Sequence, residues 1–168
     1  QAGATEEART YYGGLSGGGV AFKFCEALMA SFHPLYEKGY TAFDTETTGF
    51  SPPQAELIEI GAVRVGQFLI QEVFQSLIKP RRGIPPAVTE IHGITDEMCT
   101  DAPSEKEVIP QFVEFIGAEP LVAQNSSFDI AFLREACQRL ALSFENPVMD
   151  TLVLSRAAIS GQSHALGN

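Results

Sequence analysis

From Tyr40 onward, apolar and polar positions fall into short runs whose period changes along the chain. YTAFDTE (40–46) has the aromatic and β-branched content of a strand. AELIEIGAVRVGQF (55–68) reads as a second strand, turning near Gly66-Gln67 into LIQEVFQSLIKP (69–80) as its antiparallel partner. Pro80, Gly83, Pro85 and Pro86 mark a connection, and AVTEIHGIT (87–95) reads as a short helix or turn entering a loop. In SEKEVIPQFVEFIG (104–117), Ser104 and Glu107 match a capping box, and Val108, Phe112, Phe115 and Ile116 follow helical spacing, while Pro110 predicts a late start or a kink. LVAQN (121–125) is a short buried strand. SSFDIAFLREACQRLAL (126–142) then sets Ile130, Leu133, Cys137 and Leu140 on one helix face, with Ser126 or Ser127 as the cap. PVMDTLVLSRAAI (147–159) is a strand running into a helix. Three successive strands followed by alternating helices and strands predict an α/β domain, a mixed five-stranded sheet flanked by helices.

The first 39 residues differ in character. Residues 1–19 are polar and then Gly-rich, which favours a connector over a phosphate-cradling loop, because no strand precedes the glycines and no Gly-Lys-Ser/Thr follows. Val20–Phe32 predicts a helix packed against something larger, interrupted by Lys23 and Glu26, with Pro34 just beyond it. The expected organisation is an extension over 1–39 and one domain over 40–168. With 168 residues and 45% apolar composition, the chain can bury a real core. It has no apolar run near the ~20 residues of a membrane helix and no basic leader, so a soluble, cytoplasmic protein is expected. Cys25, Cys99 and Cys137 are odd in number and set among apolar neighbours, which favours structural thiols over a disulfide or a zinc set. A formal charge of −10 argues against gripping nucleic acid by bulk electrostatics, so any such activity needs a local site, bound cations or a basic partner.

Asp44 and Glu46 sit two apart on a strand and therefore share a face, about 7 Å apart along the chain, with Phe43 and Thr45 turned the other way. Two bare carboxylates on an apolar strand repel each other and resist ionising. A divalent cation between them, Mg²⁺ or Mn²⁺, resolves this; two solvated acids on an edge strand are the bland alternative. Asp129 stands in the first turn of a helix that follows a short buried strand. On its own, it would be read as compensating the helix dipole.

Taken in order and spacing, FDTETTGF, ELIEIGAV, EIHGIT, LVAQNSSFDIAFL and VMDTLVLSR resemble the DnaQ-like (DEDD) family of 3′–5′ exonucleases, the proofreading class, over residues 41–168. The resemblance implies an RNase H-like fold and a site with two Mg²⁺ or Mn²⁺ ions. One ion would activate water and the other would stabilise the departing 3′ oxygen as nucleoside monophosphates are released. It places Asp44 and Glu46 as the first pair of metal carboxylates and Asp129 as the third, with Asp44 bridging both ions. Thr47, Thr48 and Gly49 would support the terminal nucleotide, His92 and Ile94 would line its base and sugar, and Asn125 and Phe128 fall beside Asp129. The implied substrate is a single-stranded DNA 3′ end, with RNA as the alternative, since these residues do not distinguish the two.

The family's third motif, a histidine with an aspartate five positions later, is not matched. His164 is too near Asn168 to open it, and SGQSHALGN resembles the loop before that motif, so the histidine and fourth aspartate are expected downstream of a chain read as part of a longer polypeptide. Asp150 is expected to cap or position rather than bind metal, and Gln124 replaces a histidine frequent in the family. GGLSGGGVAFKFCEAL (13–28) is similar to a segment of RecJ-like DHH exonucleases but carries none of their metal residues; a lead-in helix is the alternative. A DNA polymerase or a RecJ-like domain in the same polypeptide are the expected partners. The competing reading is a non-catalytic nucleic-acid-binding or assembly module, disfavoured by the clustering of three acids.

Overall fold

The computed structural model describes residues 39–66 and 69–158. The Gly-rich connector, the helix expected over 20–32, the RecJ-like stretch, Cys25, Ser163 and His164 lie outside the described residues. Strands β1 (Tyr40–Thr47), β2 (Leu57–Gly66) and β3 (Leu69–Leu77) form an antiparallel meander. Helices α1 (Pro86–His92) and α2 (Glu105–Ile116) follow, then β4 (Leu121–Ala123), α3 (Ser127–Arg139), β5 (Val148–Asp150) and α4 (Thr151–Ala158). The five strands run in the order β3-β2-β1-β4-β5, with β4 and β5 parallel to β1. This is the mixed sheet that the sequence pattern predicts.

Alternation along β1 divides its side chains between two faces. Phe43 joins the main core with Ile60 and Ala62 of β2, Phe112 and Phe115 of α2, and Leu133 of α3. The ring of Phe112 lies 5.9 Å from Phe43 and 5.3 Å from Phe74 between centroids, so aromatic contacts weld α2 to the sheet. Tyr40 and Ala42 face the other way with Val63 and Val65, their cross-strand partners. A third cluster, Ile58, Ile84, Val88, Ile94 and Cys99, seats α1 beside the start of β2. Gly93, in the left-handed conformation at φ 78°, ends α1 and donates its N–H to the Thr89 carbonyl at 2.7 Å.

Two local expectations are corrected. Helix α2 starts at Glu105, held by the Glu107 carboxylate accepting from the Ser104 N–H at 2.7 Å, and it runs through Pro110 to Ile116. Pro110 is exposed, so the carbonyl that its missing N–H leaves over is on the water side. Ser126 takes the N-cap position of α3, but its side chain makes no capping bond. The brace comes from Asp150 at the end of β5: its carboxylate accepts from the Asn125 N–H at 3.0 Å, the Ser126 N–H at 3.0 Å and the Ser126 hydroxyl at 3.2 Å, and also from the Leu152 N–H at 2.8 Å that opens α4. Asn125 takes φ 55° to make this turn, a conformation asparagine tolerates. Cys99 and Cys137 are buried free thiols.

Phe112→Ala is expected to cost about 3–5 kcal/mol of unfolding free energy, read by urea denaturation. Asp150→Ala should cost about 1–2 kcal/mol, typical of a lost cap. Its hydrogen exchange should rise first at the amides of 125 and 126; exchange unchanged there would remove Asp150 as the brace of α3.

Candidate active site

Strand β1 has eight residues and its parallel neighbour β4 only three, so pairing between them stops at Ala42↔Val122. Thr41 donates its N–H toward the β4 side, to the Pro120 carbonyl at 2.8 Å. By strand alternation the Thr45 N–H points to that same side, beyond the last β4 partner, and a buried amide there needs an acceptor. Asp129, from the first turn of α3, provides it. Its Oδ1 accepts from the Thr45 N–H at 3.0 Å and the Thr45 hydroxyl at 2.7 Å. Asp129 is 2% exposed, and its neighbours Ile130 and Leu133 anchor the helix in the core.

On the opposite face of β1, Asp44 and Glu46 are partly exposed side by side, facing Gly61 and Glu59 of β2 respectively. Glu59 is a fourth carboxylate that no single segment reveals, because it comes opposite Glu46 only through the register of the β1–β2 hairpin. Its Oε1 accepts from the Gln75 side chain at 3.0 Å.

This crowding of acids leaves its mark on their ionisation. Burial, then Glu59, pushes Asp44 up to about 6 despite the Thr45 amide. Burial, then Asp44 and Glu59, pushes Glu46 up to about 7. Asp129 is pushed up to about 7, mostly by burial with Asp44 adding to it, against the hydrogen bonds from Thr45. Among the described residues none of these carboxylates has a Lys, Arg or His ion-pair partner. Nor do three or more Asp, Glu, His or Cys side chains among them close up into a metal-holding group. The acids interact through pairs instead, with Asp44 coupled to both Glu46 and Asp129.

The turn after β1 is built by its own polar groups. The Thr47 hydroxyl donates to the Gly49 carbonyl at 2.5 Å, and the Thr48 hydroxyl accepts from the Glu56 N–H at 2.9 Å. A Cβ at Gly49 would come within 3.2 Å of the Ala55 Cβ, so the turn is closely packed. His92, at the end of α1, accepts the Ile94 N–H at Nδ1 (3.0 Å), which puts its proton on Nε2. Burial lowers its pKa against the opposing influence of the Thr47 backbone and Glu59, and Nε2 is buried without completing a hydrogen bond. His92 therefore stands by the turn and the acids, while Ile94 is buried in the cluster beneath α1. Asn125 is exposed at the start of α3, and Phe128 packs on Phe132 with centroids 4.9 Å apart.

A family model described as RNase_T, exonuclease, matches residues 41–167. The PolC-type DNA polymerase III of Clostridium perfringens is 40% identical over 121 residues, 72% of this chain and 8% of that protein. A DNA polymerase III subunit epsilon-like protein of Rhodobacter capsulatus is 41% identical over 137 residues, 79% of this chain and 20% of that protein. The chain thus spans a fifth or less of these relatives. Among solved structures, Exonuclease X in complex with 5′ overhanging duplex DNA superposes with a TM-score of 0.61 at 30% identity, covering 75% of this chain and 68% of that one. Escherichia coli exonuclease I bound to a dA13 oligonucleotide gives a TM-score of 0.67 at 20% identity, covering 73% of this chain and 30% of that one, a likeness of fold alone. The fold is RNase H-like, and the chain belongs to the RNase_T exonuclease family.

Proposed function

We propose that this domain is a metal-dependent 3′–5′ exonuclease that takes a DNA 3′ end and releases nucleoside monophosphates. The observation that carries this reading is the set of desolvated carboxylates, Asp44, Glu46 and Asp129 with Glu59 behind them, without a cation among the described residues to balance them. Hard oxygen donors short of positive charge fit Mg²⁺ or Mn²⁺. Asp44 would stand between two ions, with Glu46 toward one and Asp129 toward the other. When bound, such a pair polarises water and the departing 3′ oxygen in phosphodiester hydrolysis. The chain's own contribution is placement. Thr45 holds Asp129 against the strand, and the turn at Thr47, Thr48 and Gly49 presents backbone to the terminal nucleotide. His92 stands beside that turn and Ile94 is buried beneath α1, while Asn125 and Phe128 stand at the start of α3. The names of the relatives favour DNA over RNA, and a proofreading or repair setting in which the domain is joined to a polymerase.

A second reading, a nucleic-acid-binding or assembly module without catalysis, draws on the open arrangement of the acids and on the commitment of one Asp129 oxygen to Thr45. Calorimetry with Mn²⁺ separates them: saturable binding that Asp44→Ala abolishes supports the nuclease, and no binding to the wild type supports the module.

In the full-length protein, Asp44→Ala or Glu46→Ala should lower metal-dependent release of nucleotides by more than about 100-fold, beyond the ~10–100-fold of residues that only orient a metal ligand. Far-ultraviolet circular dichroism should be unchanged. Undiminished cleavage overturns the assignment.

The acids also predict a pH dependence. Asp44, Glu46 and Asp129 hold protons up to about 6 or 7 when folded, against 3.8 for Asp and 4.5 for Glu ordinarily. Between those limits the folded state binds more protons than the unfolded one, so the contribution of these groups to stability declines as pH rises. Thermal melts in EDTA should fall from about pH 5 to about pH 8, and Mn²⁺ should raise the Tm more at the higher pH. Glu59 faces Asp44 and Glu46, so Glu59→Gln should flatten the decline. A profile in EDTA that rises with pH would sink this account.

A further inference from the structure

Against a formal charge of −10, one region of the described surface gathers cations. Lys79, Arg81 and Lys106 line a cleft of about 530 Å³ between the end of β3, the start of α2 and the end of α3. Arg82, next in the chain, approaches Glu56 of the same cleft. Lys79 donates to the Thr100 carbonyl at 2.7 Å, and neither it nor Lys106 forms an ion pair among the described residues. Arg81 and Arg82, with side chains 64% and 74% exposed, share one acid, Glu56, at 3.4 and 3.8 Å. The other acid of the cleft, Glu105, is neutralised by Arg139 at 2.6 Å. Positive charge is thus in excess here, whereas Arg64 is matched by Glu72 and Glu119.

Glu56 ties this surface to the turn after β1. It is 5% exposed; its carboxylate accepts the Arg81 N–H at 2.6 Å, its N–H donates to the Thr48 hydroxyl at 2.9 Å, and its carbonyl accepts the Thr48 N–H at 2.9 Å. One buried residue therefore joins the arginine loop to the turn two positions after Glu46. The far wall of the cleft, Arg139, lies ten residues beyond Asp129 on α3, about 15 Å along the helix.

We propose that Lys79, Arg81, Arg82 and Lys106 form a track for the phosphate backbone of the single strand leading into the site. It rests on the nuclease reading for its direction. Its ligand chemistry, a run of phosphodiesters, follows from exposed cations in excess along a groove rather than around a closed pocket. Bulk charge repels a nucleic acid from this protein, and the track supplies local attraction at the loop that Glu56 joins to the turn after β1.

The test is fluorescence anisotropy with a labelled oligothymidylate of about 20 nucleotides, beyond the ~4–16 that a single-strand groove covers. EDTA keeps hydrolysis and metal out of the reading. Arg82→Ala/Lys106→Ala leaves Glu56 paired with Arg81. It should weaken binding roughly tenfold at low salt and reduce the slope of log affinity against log salt by about 0.7 for each lost phosphate contact. Lys106→Glu alone should act in the same direction, and Arg156→Ala, an exposed cation on α4, should change neither quantity. Unchanged affinity and slope in both cleft variants overturn the track, as does equal weakening by Arg156→Ala. Equal competition by polyglutamate, or no binding by the wild type, also overturns it. Failure of the nuclease reading would appear separately, as cleavage indifferent to Asp44 or absence of Mn²⁺ binding.

Discussion

The clasp between Thr45 and Asp129 is the contact on which the site depends. It exists because β1 outruns β4: a buried amide beyond the last ladder partner must find an acceptor, and an unsatisfied one would cost ~1–3 kcal/mol. A carboxylate from α3 meets that demand. The same bond holds the third acid against the strand that carries the other two, so backbone satisfaction and the assembly of the site are one event. Helix α3 can bring Asp129 there only because Ile130, Leu133 and Cys137 are seated in the main core.

The acids around this clasp conflict with one another. Asp44, Glu46 and Glu59 share one face of a two-stranded ribbon, and Asp129 comes at the same strand from the helix layer. An apolar set of similar size would be easier to bury. Under the proposed function, divalent ions held among these acids would relieve that tension.

Much of this could be read from the chain. The strands, the meander, α1 to α4 and the shared face of Asp44 and Glu46 follow from period and punctuation, because each is a local property of its segment. Other features depend on juxtaposition across the sequence. Glu59 enters the site through strand register, and Asp150 holds the Ser126 amide 24 residues before it, where a local serine side chain had been the expected capping group. Pro110 misleads for a related reason: its cost depends on whether the carbonyl it orphans faces core or water, which spacing alone does not reveal. Glu56 looks like an ordinary acid before a strand until the fold buries it between Thr48 and Arg81.

The carboxylate of Asp150 has a consequence for where this domain can be cut. By serving the Asn125 turn and the start of α4 together, it makes the last strand a keystone rather than a trim on the sheet's edge. A fragment ending at Pro147 would keep four of the five strands and nearly all of the aromatic core, yet α3 would lose its N-terminal anchor. Among the described residues, a cut that leaves α3 anchored therefore falls beyond β5.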